Sequence, residues 1–374
     1  MRRLQRPGFL MRLAETWFHR PAAPTRVIID LTRRCNLRCT MCKTWEAHPG
    51  HELTPSELRR ILGQMPRLNW LDLTGGEVFL RRDAVELIEA ACAAPSLGVL
   101  HFPTNGWFGD RILEAVERVG ALRPDLDLLI TVSIDGPPAL HDRIRGREGS
   151  FARAMDTFLR LRAHGGVRAY VGTTITPDNA DAIDALEGEL RERIPDFAPD
   201  EWHWNWLQIS QHFFHNQELA RGPQPPAGTL VRRHIRRRGW PKNLVDAMEL
   251  AFLINLEFYR RGEPTGIVCQ SLRSTAFISP EGDLYPCHVY DRPLGNLRER
   301  TLQEVWNAPE TLRARRDIEK LACGGCFTPC EAYPALAGAP AATVLQTGRR
   351  ALRLLVEGGG RAPRAAATGA RDTD

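Results

Sequence analysis

The chain has 374 residues, too many for one ordinary hydrophobic core and suited to a large α/β domain with a smaller partner. It is 43% hydrophobic and 25% charged with a mean hydropathy of −0.32, a globular composition, and no apolar run is long enough to span a bilayer. The formal charge of +5 is modest for this length and gives no support to a nucleic-acid partner.

Residues 1–25 read as an N-terminal extension with one basic amphipathic piece, Phe9 to Arg20, ended by Pro21 and Pro24 and expected to lie on the domain surface. The apolar stretch Phe9 to Leu13 is too short for the core of a signal peptide. Of nine cysteines, eight fall in tight or motif-like groups and only Cys92 stands alone, in the apolar helical run Val85 to Ala93. That grouping favours metal ligation in a reducing cytoplasm over disulfides.

Arg26 to Leu31 is a buried-strand run, and it delivers Cys35-Asn36-Leu37-Arg38-Cys39-Thr40-Met41-Cys42 at its C-terminal end. Open α/β sheets and barrels put their chemistry at such ends. A structural zinc ion takes four closed ligands, and a ferredoxin-type cluster takes four cysteines. Three thiols at the spacing CxxxCxxC point instead to a cluster with one iron left open; the competing readings are a zinc knuckle or three unrelated buried thiols. The octapeptide resembles the signature of the radical S-adenosylmethionine (SAM) superfamily. The resemblance implies a [4Fe-4S] cluster whose unique iron chelates SAM and passes it one electron, giving a 5'-deoxyadenosyl radical. One departure is Met41, where the family usually has an aromatic residue; methionine is soft enough to pack on an adenine ring.

Downstream, Thr54-Pro55-Ser56-Glu57 is a capping box that starts a helix running to about Met65. The strand Trp70 to Thr74 then ends in Gly75-Gly76-Glu77, glycines that allow close backbone approach followed by a carboxylate able to accept from an ammonium. In the resembled family this is the GGE motif, which implies that Gly75, Gly76 and Glu77 hold the SAM amine. Helices at Arg82–Ala93, Asp110–Val119, Phe151–Ala163 and Asp181–Arg193 alternate with strands at Gly98–Pro103, Leu126–Ile134, Val167–Ile175 and Trp202–Ile209. Six strands match the partial (β/α)6 TIM-like barrel that the resemblance implies for residues 26–217.

The resemblance points to Ser133 and Asp135, at the fourth strand's end, as ribose contacts. It also likens His141-Asp142-Arg143-Ile144-Arg145-Gly146 to the HDxIRG stretch of the branch with extra clusters. Arg145 then reads either as a fork for the SAM carboxylate or as a helix-start ion pair. Asn105 and Asn179 either reach the cofactor or cap helices. In Trp202-His203-Trp204-Asn205-Trp206, alternation puts His203 and Asn205 on one face and the indoles on the other, with Gln208, Ser210 and His212 joining the indole face if the strand continues. Which face points inward is open.

Residues 218–264 bridge to the C-terminal part through the linker signal Gly222 to Pro226, the basic run Arg232 to Arg238, read as a solvated helix face, and the apolar helix Leu244 to Tyr259. Residues 265–335 carry Cys269, Cys287, Cys323, Cys326 and Cys330 around a hairpin, Phe277 to Pro286, and a helical region, Leu302 to Lys320, divided by Pro309. With Leu294-Gly295-Asn296-Leu297 and Trp306, this resembles the SPASM and twitch domains. The fold class is therefore α/β, a partial barrel with a small C-terminal α+β auxiliary-cluster domain. Five thiols against the seven of a full SPASM pattern imply one auxiliary [4Fe-4S] cluster held by Cys269, Cys287, Cys323 and Cys326, with Cys330 able to replace one of the last pair. A four-cysteine zinc ribbon is the competing reading. Residues 336–374 shift to Ala, Gly and Arg and read as a disordered tail, apart from an amphipathic piece near Val344 to Val356. The expected protein is a cytoplasmic radical SAM oxidoreductase or maturase. Its substrate is a peptide or small metabolite, and its reductant a flavodoxin or ferredoxin.

Overall fold

The computed structural model describes residues 22–47, 50–221, 228–242, 244–321 and 326–359. The piece Phe9 to Arg20, the linker signal Gly222 to Pro226, Cys323 and the end of the tail lie outside them.

Six parallel strands stand side by side in chain order: β1 (Arg26–Asp30), β2 (Trp70–Thr74), β3 (Val99–Thr104), β4 (Asp127–Ser133), β5 (Arg168–Ile175) and β6 (Trp202–Trp206). Between them run α1 (Pro55–Leu62), α2 (Ala84–Cys92), α3 (Gly109–Leu122), α4 (Pro138–Arg145), α5 (Ser150–His164) and α6 (Ile183–Arg193). The capping box is formed as expected: Thr54 accepts from the Glu57 N–H, and Glu57 accepts from the Thr54 N–H.

Strand alternation separates two environments. Val27, Ile29, Leu71, Leu73, Leu100, Phe102, Ile130, Val132 and Val171 pack into the main core. Arg26, Asp72, His101, Thr131, Tyr170 and His203 face the other side and line a cavity of about 440 Å³. The sixth strand resolves the same way. Trp202, Trp204 and Trp206 are buried in the core, Trp204 stacking on His234 at 3.9 Å, while His203 and Asn205 reach the cavity. The strand stops at Trp206, so Ser210 and His212 do not extend the indole face. His212 instead bonds Asp291 at 2.6 Å and stacks on Tyr285 at 4.3 Å.

The C-terminal hairpin is joined to the barrel sheet. β7 (Thr275–Ile278) pairs in parallel with β1, in the register Arg26 to Thr275, and continues antiparallel into β8 (Asp283–Tyr285) and β9 (Gly295–Asn296). It thereby covers a ladder edge that β1 would otherwise expose. The helices beyond β6 are α7 (Gly228–Arg238), α8 (Leu244–Arg260), α9 (Leu302–Trp306), α10 (Pro309–Glu319), α11 (Pro329–Gly338) and α12 (Pro340–Gly359).

Two expectations change. The basic run is not a merely solvated face: Arg232 pairs with Glu257, Arg233 with Asp184, Arg237 with Asp184 and Glu187, and Arg238 with Asp246. In the tail, order extends beyond the expected amphipathic piece near Val344 to Val356: that piece is part of α12, which starts at Pro340 and docks on α8. There Arg350 donates to Asn255 at 2.5 Å and to the Pro264 carbonyl, and Asn255 donates to Thr347 at 2.9 Å. Among the described residues, no helix is long and apolar enough to cross a membrane.

Candidate active site

The loop Cys35–Cys42 leaves the C-terminal end of β1, and backbone contacts hold it from three sides. From β2, the Gly76 N–H donates to Thr32 O (2.7 Å) and the Glu77 N–H to Arg34 O (2.9 Å). From α4, the carbonyls of Arg145 and Ile144 accept from Arg38 (3.0 Å) and Thr40 (2.9 Å). From the segment after β6, Asn216 donates to Met41 O (2.8 Å), and the Lys43 N–H donates to Phe214 O (2.8 Å). Loop and supports come so close that side chains are excluded. A Cβ on Gly75 (φ +146°) would lie 2.4 Å from Thr32 O, one on Gly76 2.3 Å from Arg34 O, and one on Gly146 (φ +67°) 2.5 Å from Arg38 O. Cys35, Cys39 and Cys42 all line the cavity. Burial pushes the Cys35 thiol up to about 12 and Cys39 to about 11, and raises Cys42.

The Glu77 side chain does something other than expected. It is 1% exposed and absent from the cavity wall. Its oxygens accept from the Asn105 N–H (2.8 Å), Thr104 Oγ1 (3.0 Å) and the Phe79 N–H (3.2 Å). Burial pushes it up to about 7, although all three donors favour the charged form. A carboxylate occupied in this way ties the end of β2 to the end of β3 and presents Gly75 and Gly76, rather than itself, to the cavity. Glu77→Gln should therefore destabilise the metal-free protein by about 1–3 kcal/mol, because one inward N–H loses its acceptor. Thermal melting of the two apoproteins checks this, and equal melting curves would rule the brace out.

Every fixed residue of HDxIRG now has a task. His141 Nδ1 accepts from the Asp135 N–H at 3.0 Å, and burial, aided by Arg145, holds the ring neutral at a pKa of about 3. Asp142 caps α5, accepting from Gly149 (2.7 Å), Ser150 Oγ (2.8 Å) and Phe151 (2.8 Å). Arg145 forms an ion pair, but with Asp135 at 2.5 Å rather than at a helix start, and its other edge lies 3.7 Å from Cys39 Sγ. Asp135, expected as a ribose contact, is fully buried behind that guanidinium, accepts from the Thr174 N–H and does not line the cavity. Ser133, Asn105 and Arg145 do line it, and Asn105 steadies the loop by donating to Asn36 at 2.8 Å. Asn179 precedes a short helical turn without capping it through its side chain: it is buried, accepts from the Thr176 N–H and donates to the carbonyls of Asp135 and Thr174, tying two strand ends together.

Sequence reasoning missed a polar network across the barrel interior. Arg26 Nε donates to Asp72 (2.8 Å), Asp72 bonds His101 Nδ1 (2.8 Å), and His101 Nε2 bonds Thr131 (3.0 Å). Burial would raise Asp72, but Arg26 and His101 outweigh it and hold the carboxyl down at about 2. The signal was present as single polar residues at inward positions of otherwise apolar strands.

Of the C-terminal thiols, Cys269, Cys287 and Cys326 act on one another. Burial raises Cys287 well above the usual thiol range, and the charges of Glu331, Cys326 and Cys269 add to that. Glu331 accepts from Ser271 Oγ at 2.9 Å, beside Cys269. Cys330 faces elsewhere, lining the barrel cavity near Arg26, which donates to its carbonyl at 3.0 Å. Among the described residues, no three His, Cys, Asp or Glu side chains close on a single ion.

Residues 29–190 match the Radical SAM superfamily, and residues 269–327 match SPASM, an iron-sulfur cluster-binding domain; Cys330 lies beyond the second match. The AdoMet-dependent heme synthase of Methanosarcina barkeri is 26% identical over 332 residues, covering 81% of this chain and 88% of the relative. The PqqA peptide cyclase of Xanthomonas oryzae is 27% identical over 327 residues, covering 81% and 80%. In fold, the chain is similar to Streptococcus suis SuiB bound to S-adenosylmethionine, with a TM-score of 0.54 at 16% identity, covering 79% of this chain and 68% of that one. A [4Fe-4S] cluster and SAM are the cofactors of the first domain, and auxiliary iron-sulfur binding belongs to the second. With its cysteine loop, GGE turn and C-terminal thiols in this order on a partial barrel, the chain belongs to the radical SAM superfamily and carries a SPASM-type iron-sulfur domain.

Proposed function

We propose that the chain is a radical SAM maturase that abstracts hydrogen from a peptide, leading to oxidation or crosslinking. The observation that carries this is the single cavity that begins at three pinned thiols and continues into the polar barrel interior. The family likeness to a peptide cyclase supports the substrate class.

The donor set fits a cluster. Cys35, Cys39 and Cys42 share one loop, face one cavity, and are unfavourable as bare thiolates because of burial. A polynuclear cluster spaces its protein sulfurs more widely than a single ion does. When bound, a [4Fe-4S] cluster with an open iron supplies one electron to SAM and so a 5'-deoxyadenosyl radical. Gly75 and Gly76 offer backbone groups at the rim, while Asn105, Ser133 and Arg145 offer side chains for SAM. Glu77 acts through the turn that it braces. The guanidinium of Arg145, shared between Asp135 and Cys39, holds positive charge beside the thiolates. The walls of β1–β6 keep water from the reacting carbon.

Cys269, Cys287 and Cys326, with Cys323, are proposed to hold one auxiliary cluster, and Cys330 to face substrate space. A flavodoxin or ferredoxin is the proposed reductant. The test is anaerobic turnover with reductant, SAM and synthetic candidate peptides encoded beside the gene. Peptide-dependent 5'-deoxyadenosine with a matching mass loss in the peptide is expected. A small metabolite that alone couples SAM cleavage to its own conversion would refute the peptide reading.

A further inference from the structure

The cavity extends past the thiols into the barrel, and its far end carries a group that the SAM chemistry leaves unused. Glu249, on α8, lines this cavity and is only 3% exposed. One of its oxygens accepts from the Tyr333 hydroxyl. The other, Oε1, is buried and has no hydrogen-bond partner among the described residues. Arg238 is the cation whose charge acts on it most, but its two terminal nitrogens are engaged by Asp246 at 2.5 Å and by the Pro199 carbonyl at 2.9 Å, and its buried Nε makes no hydrogen bond to Glu249. Aromatic rings surround the position. Tyr170, whose hydroxyl feels the Glu249 charge, stacks on His203 at 4.1 Å, and both line the wall. Tyr333 lies one helical turn beyond Cys330 on α11, so both face the same space.

This end is separate from the cysteine loop. Arg26, at the start of β1, and Cys330 mark it, whereas the thiols follow the end of the same strand. A five-residue strand rises by about 13 Å between its first and last Cα atoms.

A buried carboxylate with an unpaired oxygen is unfavourable until a cation or donor reaches it, and aromatic walls favour a cation over a neutral donor. We infer that Glu249 is the recognition site for an ammonium or guanidinium group of the substrate, such as a lysine or arginine side chain inserted to the base of the barrel. This rests on the peptide reading above and specifies its chemistry: a basic residue enters first and sets which neighbouring carbon meets the cofactor end.

The test uses the full chain, reconstituted anaerobically with clusters and saturating SAM, and ligand-observed NMR titration. The probes are Nα-acetyl-lysine N-methylamide, its norleucine isostere and n-pentylammonium. The lysine diamide should bind about tenfold or more tightly than the norleucine diamide. Glu249→Gln should erase that difference while leaving norleucine affinity unchanged. Equal affinities in the wild type would overturn the inference and show that Arg238 already satisfies Glu249. A preference that survives in Glu249→Gln, or no binding by any probe, would overturn it as well. Should Glu249→Gln fail to fold, Tyr333→Phe takes its place: it frees the second oxygen, so the amine preference must persist, and its loss would refute the site. The third probe separates the two readings. If pentylammonium binds in a Glu249-dependent way and the lysine diamide binds no more tightly, the cation site stands and the peptide reading fails.

Discussion

Replacing any one of Cys35, Cys39 or Cys42 with alanine is expected to abolish reductive cleavage of SAM. A cluster that leaves one iron open for the cofactor has only three protein ligands, so each loss removes a third of its attachment. Among the described residues, the side chains hydrogen-bonded to these sulfurs are poor iron ligands, Thr44 at 3.1 Å from Cys42 being a neutral hydroxyl. Arg145 is the side chain beside Cys39, at 3.7 Å, and Asn105 lies 4.0 Å from Cys35; the first is a cation and the second donates an amide N–H. The rigidity of the loop adds to the effect, because backbone bonds from the end of β2 and from α4, with the Asn216 side-chain amide, prevent Met41 or its neighbours from swinging a replacement inward. Cys92→Ala is the control. That thiol lies in α2, against the main core and away from the cavity, and its replacement should leave 5'-deoxyadenosine formation unchanged. Anaerobic reconstitution followed by quantitation of 5'-deoxyadenosine decides the matter. A variant of the trio cleaving SAM at the wild-type rate would remove those residues from the cluster.

The βα alternation was readable because apolar runs of strand length alternate with amphipathic runs and capping signals, and tertiary packing then had little to override. Motif roles were less readable, since the same residue types serve two purposes. Glu77 is the clearest instance. A carboxylate after two glycines suits an ammonium, but the strand register turns it toward the Asn105 and Phe79 amides, and sequence does not display that register. The resemblance points Asp135 at the ribose and leaves Arg145 between the SAM carboxylate and an ion pair; at 2.5 Å the two pair with one another, a contact across the α4 turn that spacing alone does not specify. The inward face of β6 depended on which of two polar-apolar faces met α7, and the stacking of Trp204 on His234 decided it. In the tail, the amphipathic piece near Val344 to Val356 was legible, but the helix's start at Pro340 and its docking were not, because they rest on long-range partners, Asn255 and the Pro264 carbonyl.

The double substitution Cys269→Ala with Cys287→Ala is expected to lower iron and sulfide from about eight of each per reconstituted chain to about four. SAM cleavage at the core should remain measurable while substrate turnover is lost. The two sites depend on different supports, which is why the core should survive. The N-terminal thiols are held by β2, α4 and the segment after β6, whereas Cys269 precedes β7 and Cys287 follows β8. One shared tie needs watching: Arg33, just before the first thiol, bonds Glu281 at 2.9 Å in the turn between β7 and β8. That turn lies at the other end of the hairpin from Cys269 and is closed by Gly282 donating to Ser279 O at 3.0 Å, so it should outlast the loss of ligands. Turnover should fail because an auxiliary cluster either accepts the electron left on the substrate or binds substrate itself. Cys330→Ser distinguishes ligand from bystander. Its thiol lines the barrel cavity near Arg26 and Asp72, so the variant should keep about eight irons and change only substrate affinity. A fall to about four irons in Cys330→Ser would make Cys330 a ligand after all, and about four irons with one zinc in the wild-type chain would replace the second cluster by a zinc ribbon.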